Sequence, residues 1–142
     1  MISPSHEIRA VLDTNIFVAA FKKPGGLASR IVKDDWALNR YTLLTSMSII
    51  TEVVTVLSAA RVPKKSIQGL VSLIMLYAQV QDEHRIQRTI KKHKQDDIFI
   101  ACALAGNADY IVTLNKKHFS RPTYNGVKVV TPFEFRQIIS RP

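Results

Sequence analysis

Residues 8–17 read IRAVLDTNIF, and the reading of this stretch decides the fold. Ala10-Val11-Leu12 is apolar without alternation, Asp13 ends the run, and Thr14-Asn15 follows before the chain turns apolar again. A short continuous apolar run closed by polar residues is the pattern of a strand buried on both faces. Such a strand needs helices on either side of its sheet, and here it leaves a carboxylate standing at its C-terminal end.

The same pattern recurs along the chain. YTLLTS at 41–46, DYIVTLN at 109–115 and VKVVT at 127–131 read as further strands. Between them the apolar residues take helical spacing. This holds over 27–38, over 47–60 (Ile49, Val53, Val56, Leu57) and over 66–79 (Ile67, Leu70, Val71, Ile74). Residues 15–21 suit a short helix or turn before the break KKPGG at 22–26, and Thr45 or Ser46 is placed to cap the helix at 47. The polar stretch 80–95 gives no clear element. Asp96 is expected to open and cap the compact helix DIFIACALAG, which Gly106 and Asn107 close, and Pro132 to start a last helix, PFEFRQII. Strands alternating with helices predict one α/β domain over residues 1–142, with a mostly parallel sheet covered on both faces.

Lys+Arg 20 against Asp+Glu 11 gives a net charge of +9, which favours polyanionic partners by steering and counterion release. A lone cysteine, Cys102 within FIACALA, forms no intrachain disulfide and reads as a buried small hydrophobe. The opening MISPSHEIR lacks the pattern of a signal peptide, and the apolar runs are too short to span a bilayer, so a cytoplasmic protein without membrane contact is expected.

Few acids are present, and their positions matter. Asp13 follows the first strand, at the edge of a parallel sheet where ligands bind; Asn115 follows the strand DYIVTL at the same edge. Glu52 lies beside the apolar stripe of its helix, between Ile49 and Val56, and Asp97 lies at the start of the helix carrying Ala101 and Leu104. Each has an ordinary structural role available: a turn cap for Asp13, a first-turn acid for Asp97, a buried ion pair for Glu52. Together they read differently, because gathered carboxylates repel and are costly to desolvate unless a cation neutralises them. Hard oxygen donors without sulfur select Mg²⁺ or Mn²⁺. An acidic pocket in a basic envelope suits metal-assisted phosphodiester hydrolysis.

On the segments AVLDTNIFVAAF, LLTSMSIITEVVTVL, DDIFIACALAGNADYIVTLNKKHF and VKVVTPFEF, the sequence resembles the PIN-domain family over about Ile8 to Ile139. Within that family it is similar to the VapC-type toxin ribonucleases of toxin–antitoxin pairs. The resemblance implies a three-layer α/β/α domain and a divalent-metal-dependent endoribonuclease. Asp13, Glu52 and Asp97 match the metal-binding carboxylates. Asn115 stands where many members carry a fourth Asp, and Lys117 where some carry another. Thr14, Asn15, Ser46 and Thr113 match polar positions that orient the acids. Lys22-Lys23, Lys91-Lys92, Lys94 and Lys116-Lys117 are the candidates for RNA contact. No histidine is needed as a base, although His118 lies near the proposed site. The implied partners are RNA, a cognate antitoxin and a second copy of the chain, and helix 66–79, apolar nearly all round, suggests a protein interface. Asn115 and Lys117 leave open a PIN-like RNA-binding module without catalysis; a flap-cleaving DNA nuclease is disfavoured by the short chain.

Overall fold

In a computed structural model, which describes residues 7–141, the run Arg9–Leu12 forms strand β1, with Ala10, Val11 and Leu12 almost wholly inaccessible to solvent. Residues 1–6 of the stretch read for a signal sequence, His6 among them, lie outside the described residues. The chain continues through α1 (Thr14–Lys22) and α2 (Leu27–Ser29), which widens into a π-helical turn at Arg30–Asp35. β2 (Thr42–Thr45), α3 (Met47–Ala59), α4 (Lys64–Tyr77), β3 (Gln79–Val80), α5 (Glu83–His93) and α6 (Ile98–Ala105) follow. The rest is β4 (Tyr110–Val112), a 3₁₀ turn at Lys116–His118, β5 (Thr123–Tyr124), β6 (Val127–Val130) and α7 (Pro132–Ile139).

The strand order is β3-β2-β1-β4-β6-β5, parallel throughout except for the antiparallel β5–β6 pair. This is the mostly parallel, helix-covered α/β fold that the strand pattern predicts. From β1 the chain builds outward through β2 and β3, then returns to β1's other side with β4. The reversal makes the β1/β4 junction a topological switch point, where a crevice opens at the carboxyl ends of the strands.

Several expectations need correction. Two edge strands, β3 and β5, were not anticipated, because elements of two residues carry no periodicity. The strand expected over 109–115 is only Tyr110–Val112. Asp109 and Thr113 still make backbone bonds to Arg9, Lys128 and Val130 at its ends, and beyond them the chain turns into Lys116–His118. The unassigned stretch 80–95 contains α5, whose first turn is capped by the Asp82 carboxylate taking the amides of His84 and Arg85. Asp97, not Asp96, caps α6: its Oδ1 accepts from Phe99 and Ile100, both at 2.9 Å. Of the two candidate caps for α3, Ser46 is the one used, its hydroxyl accepting from the Ile49 amide. α6 ends against β2 so closely that a Cβ on Gly106 would lie 2.9 Å from Leu44 Cδ1, which is why glycine stands there. Cys102 is buried as expected, and burial pushes its thiol up to about 12.

One buried acid was not anticipated. Asp35, fully inaccessible, receives Arg136 Nε at 2.8 Å and Nη2 at 3.1 Å, and Arg40 Nη1 at 2.7 Å. Burial alone would raise its pKa, but the hydrogen bonds and charges of the two arginines outweigh it and hold the carboxyl below its ordinary value. This cluster ties the π-helical turn to α7, beside the edge-to-face pair of Tyr41 and Phe135 at 5.1 Å. Asp35→Asn is expected to destabilise the protein by about 3–5 kcal/mol in urea unfolding, because it leaves two guanidinium groups facing a neutral amide. With the folded pKa lowered, Asp35's contribution is present above the unfolded carboxylate value of about 3.9 and is lost as pH falls through its folded value. The variant should therefore lose part of the wild-type acid limb in a stability–pH profile.

Candidate active site

The carboxyl ends of β1 and β4 build the crevice. Asp13 takes its place there because its amide still belongs to the sheet, donating to the Val112 carbonyl at 2.9 Å, while its side chain leaves it. Thr113, the residue after β4, donates its hydroxyl to Asp13 Oδ2 at 2.7 Å. Asn15, in the first turn of α1, donates Nδ2 to Asp13 Oδ2 and to Thr113 Oγ1, both at 3.3 Å. Its Oδ1 in turn accepts the Leu114 amide at 3.2 Å. Two crossing strand ends are thereby stitched through one carboxylate oxygen.

Glu52 projects from α3, half-buried, and its Oε2 accepts the hydroxyl of Thr14. Asp97 is half-buried at the start of α6, with Oδ1 committed to the helix amides and Oδ2 not used in capping. Both bear on Asp13. Desolvation by burial is the largest cause that raises the Asp13 pKa; the Thr113 hydroxyl and the Thr14 amide oppose it, and the charges of Glu52 and Asp97 raise it further. The structure thus brings Glu52 and Asp97 each within electrostatic reach of Asp13. Among the described residues, no three Asp, Glu, His or Cys side chains are gathered tightly enough to form a ready-made metal cluster.

The remaining expected residues divide. Thr14, Asn15 and Thr113 contact the acids or one another; Ser46 is buried and caps α3. Asn115 is half-buried, but its Oδ1 accepts the Lys117 amide at 3.2 Å, so its side chain caps the turn Lys116–His118. Lys117 and His118 are exposed on that turn. Lys116, also exposed, pairs with Glu134 of α7 at 2.7 Å. Lys22 and Lys23 are exposed at the end of α1. Lys91, Lys92 and Lys94 are exposed at the end of α5, and Lys92 lines a pocket with Asp109 and Val127, at the opposite edge of the sheet from Asp13. Sequence adjacency to Asp97 does not bring that lysine to the crevice. The Lys116–Glu134 pair, and the capping box in which Thr131 and Glu134 exchange hydrogen bonds, were not anticipated; the TPFE string at 131–134 carries the signal for the box.

A family model for the PIN domain matches residues 9–117. The chain belongs to the PIN-domain family. The match takes in Asp13, Glu52 and Asp97. Among solved structures, the chain is similar to VapBC2 from Rickettsia felis, bound to a DNA fragment from its promoter, with 17% identity over 87% of this chain and 98% of that one and a TM-score of 0.59. It is also similar to VapBC-1 from nontypeable Haemophilus influenzae, with 21% identity, coverage of 89% and 99%, and a TM-score of 0.56. At these identities the likeness is one of fold. A sequence search of curated proteins finds no significant match.

PIN-domain nucleases generally use divalent metals. The donor set in this chain fits such an ion chemically: the oxygens are hard, and Asp13, buried beside two like charges, holds its proton above the ordinary carboxylate range. A folded pKa above the unfolded one means that the contribution of Asp13 to stability is full below the unfolded value and is lost as pH rises through the folded value. In metal-free buffer, Asp13→Asn is therefore expected to raise the neutral-pH Tm by a few degrees and to flatten the stability–pH profile between those two values, as measured by calorimetry. A lower Tm would show that the charged form is held better than its surroundings indicate.

Proposed function

We propose that this protein is a divalent-metal-dependent endoribonuclease and the toxin of a toxin–antitoxin pair. The observation that carries the reading is Asp13. It is buried at the switch point of a PIN-domain sheet, oriented by Thr113 and Asn15, and faced by Glu52 and Asp97 in a chain of net charge +9. Asp13, Glu52 and Asp97 would hold Mg²⁺ or Mn²⁺. A bound divalent ion supplies acidification of water and stabilisation of charge on the phosphate.

The chain's own groups do the positioning. Thr113 and Asn15 fix Asp13 Oδ2. Thr14 holds one oxygen of Glu52, and the α6 amides hold one oxygen of Asp97. Lys117, with its ammonium not engaged in an ion pair among the described residues, is the better of the two turn lysines for a phosphate; Lys116 is tied to Glu134. Lys22 and Lys23 add charge beyond α1.

Protein partners belong to the same reading. The fold is shared with VapBC assemblies, and α4 buries Ile67, Leu70 and Ile74 while Leu73, Met75, Leu76 and Tyr77 stay exposed. That apolar surface supports an antitoxin, or a second copy of the chain, as its cover. No helix among the described residues is long and apolar enough to cross a membrane.

A second reading, an RNA-binding module without catalysis, draws on Asn115, a neutral amide folded onto its own turn. Incubation of total RNA and transfer RNA with the protein separates the two. Cleavage dependent on Mg²⁺ or Mn²⁺, abolished by chelator and by Asp13→Asn, is expected, with Thr113→Val lowering the rate about 10- to 100-fold through loss of carboxylate orientation. The ions should also raise the Tm of the wild type far more than that of Asp13→Asn. Antitoxin-free protein that binds RNA and leaves it intact in either metal would establish the module instead.

A further inference from the structure

At the edge of the sheet opposite Asp13, a polar pocket of about 520 Å³ opens between α5, the end of α6 and the β5–β6 turn. One wall is a single face of α5: Arg85, Thr89, Lys92 and His93 fall at i, i+4, i+7 and i+8. The facing wall carries Asn107, Asn125 and Asp109, whose Oδ2 accepts the Arg9 amide at 2.9 Å, and Asn125 Nδ2 lies 3.4 Å from His93 Nδ1. The carbonyl-rich end of α6 points here, but arginines neutralise it. Arg9 takes the Gly106 carbonyl at 2.9 and 3.1 Å, and Arg85 reaches the Ala105 carbonyl with one nitrogen at 3.5 Å. The rest of the Arg85 fork and the Lys92 ammonium make no ion pair among the described residues. Arg88, Lys91 and Lys94 extend the positive charge along the same exposed helix, against two acids at its start, Asp82 and Glu83.

Arg85 and Lys92, which outnumber the pocket's one carboxylate, Asp109, form with the amide of Asn107 a receptor for phosphate oxygens in an open polar pocket, while the Thr89 hydroxyl is spent on the Arg85 carbonyl. We propose that this pocket is a second, non-catalytic RNA site that holds internal phosphodiesters of the strand being cut at Asp13. The inference rests on the ribonuclease reading and adds a constraint on the substrate. Four-residue strands place roughly 13 Å of sheet between the two edges. At about 3.4 Å per nucleotide along a stacked strand, a dinucleotide reaches one edge only. The substrate is therefore an extended or folded RNA that touches both.

The test uses the full chain carrying Asp13→Asn, so that binding is read without cleavage, and a labelled RNA oligonucleotide titrated over a salt series. Arg85→Gln with Lys92→Gln is compared with Lys64→Gln and Lys65→Gln, exposed lysines of α4 that remove the same charge elsewhere. Circular dichroism confirms that both doubles are folded. The pocket double is expected to weaken RNA binding at least tenfold and to reduce the slope of log K against log salt by about 0.7 per lost contact. The α4 double should do much less, and dinucleotide binding should be the same in all three proteins. Equal losses in the two doubles, or none in the pocket double, would overturn the assignment. So would displacement of the RNA by an equimolar nucleoside monophosphate, which would mark a small-ligand pocket, or loss of antitoxin binding with RNA affinity unchanged. RNA cut normally by the pocket double in the wild-type background overturns this inference alone. RNA neither bound nor cut by any form overturns the ribonuclease reading with it.

Discussion

The structure hangs on a strand of four residues. β1 is buried on both faces, so its sheet must be covered twice, and it pairs with β2 on one side and β4 on the other. Because it is the strand from which the chain departs in one direction and to which it returns from the other, the crevice has to open at its C-terminal end. Asp13 is the residue that the strand delivers there. The amide stays in the ladder and the carboxylate leaves it, so the backbone that builds the core and the group that faces solvent belong to one residue.

Two buried aspartates show two ways in which a buried carboxylate's charge is met. Asp35 is more deeply buried than Asp13, but two arginines complete its hydrogen bonds and lower its pKa. Asp13 has only neutral donors, Thr113 and Asn15, and like charges beyond them, and its pKa rises. The first arrangement is closed and stabilises the packing of α7 on the π-helical turn. The second lacks a positive charge, and a cation from solution would complete it. In a protein with twenty Lys and Arg residues, leaving Asp13 with neutral donors and like charges alone is a specific arrangement.

Charge is also divided between the two ends of the sheet. The carboxylates and Lys117 lie at the carboxyl edge, while Lys92 and Arg85 lie at the amino edge. Lys92 and Asp97 are five positions apart in sequence, yet α5 ends at one pole and α6 begins at the other. Proximity along the chain was a poor guide there, because the chain leaves α5 through a left-handed turn at Lys94 and changes direction before α6 begins.

The sequence by itself determined the layering and the longer strands and helices, and it placed Asp13, Glu52 and Asp97 at the edges of apolar segments. Apolar runs, helical spacing and breakers such as KKPGG are local signals set by burial, and the family motifs lie within single segments. Short elements escaped: β3 and β5 are too brief for a period, and α5 is held by an Asp82 cap and one buried apolar residue, Ile86. Only the tertiary structure decided which aspartate caps α6, that Asn115 folds back on its turn, and that Arg136, a hundred residues away, neutralises Asp35. These outcomes depend on hydrogen bonds and charge pairs between segments distant in sequence. Their energies depend on distance and burial, quantities that come into existence only once the chain has closed.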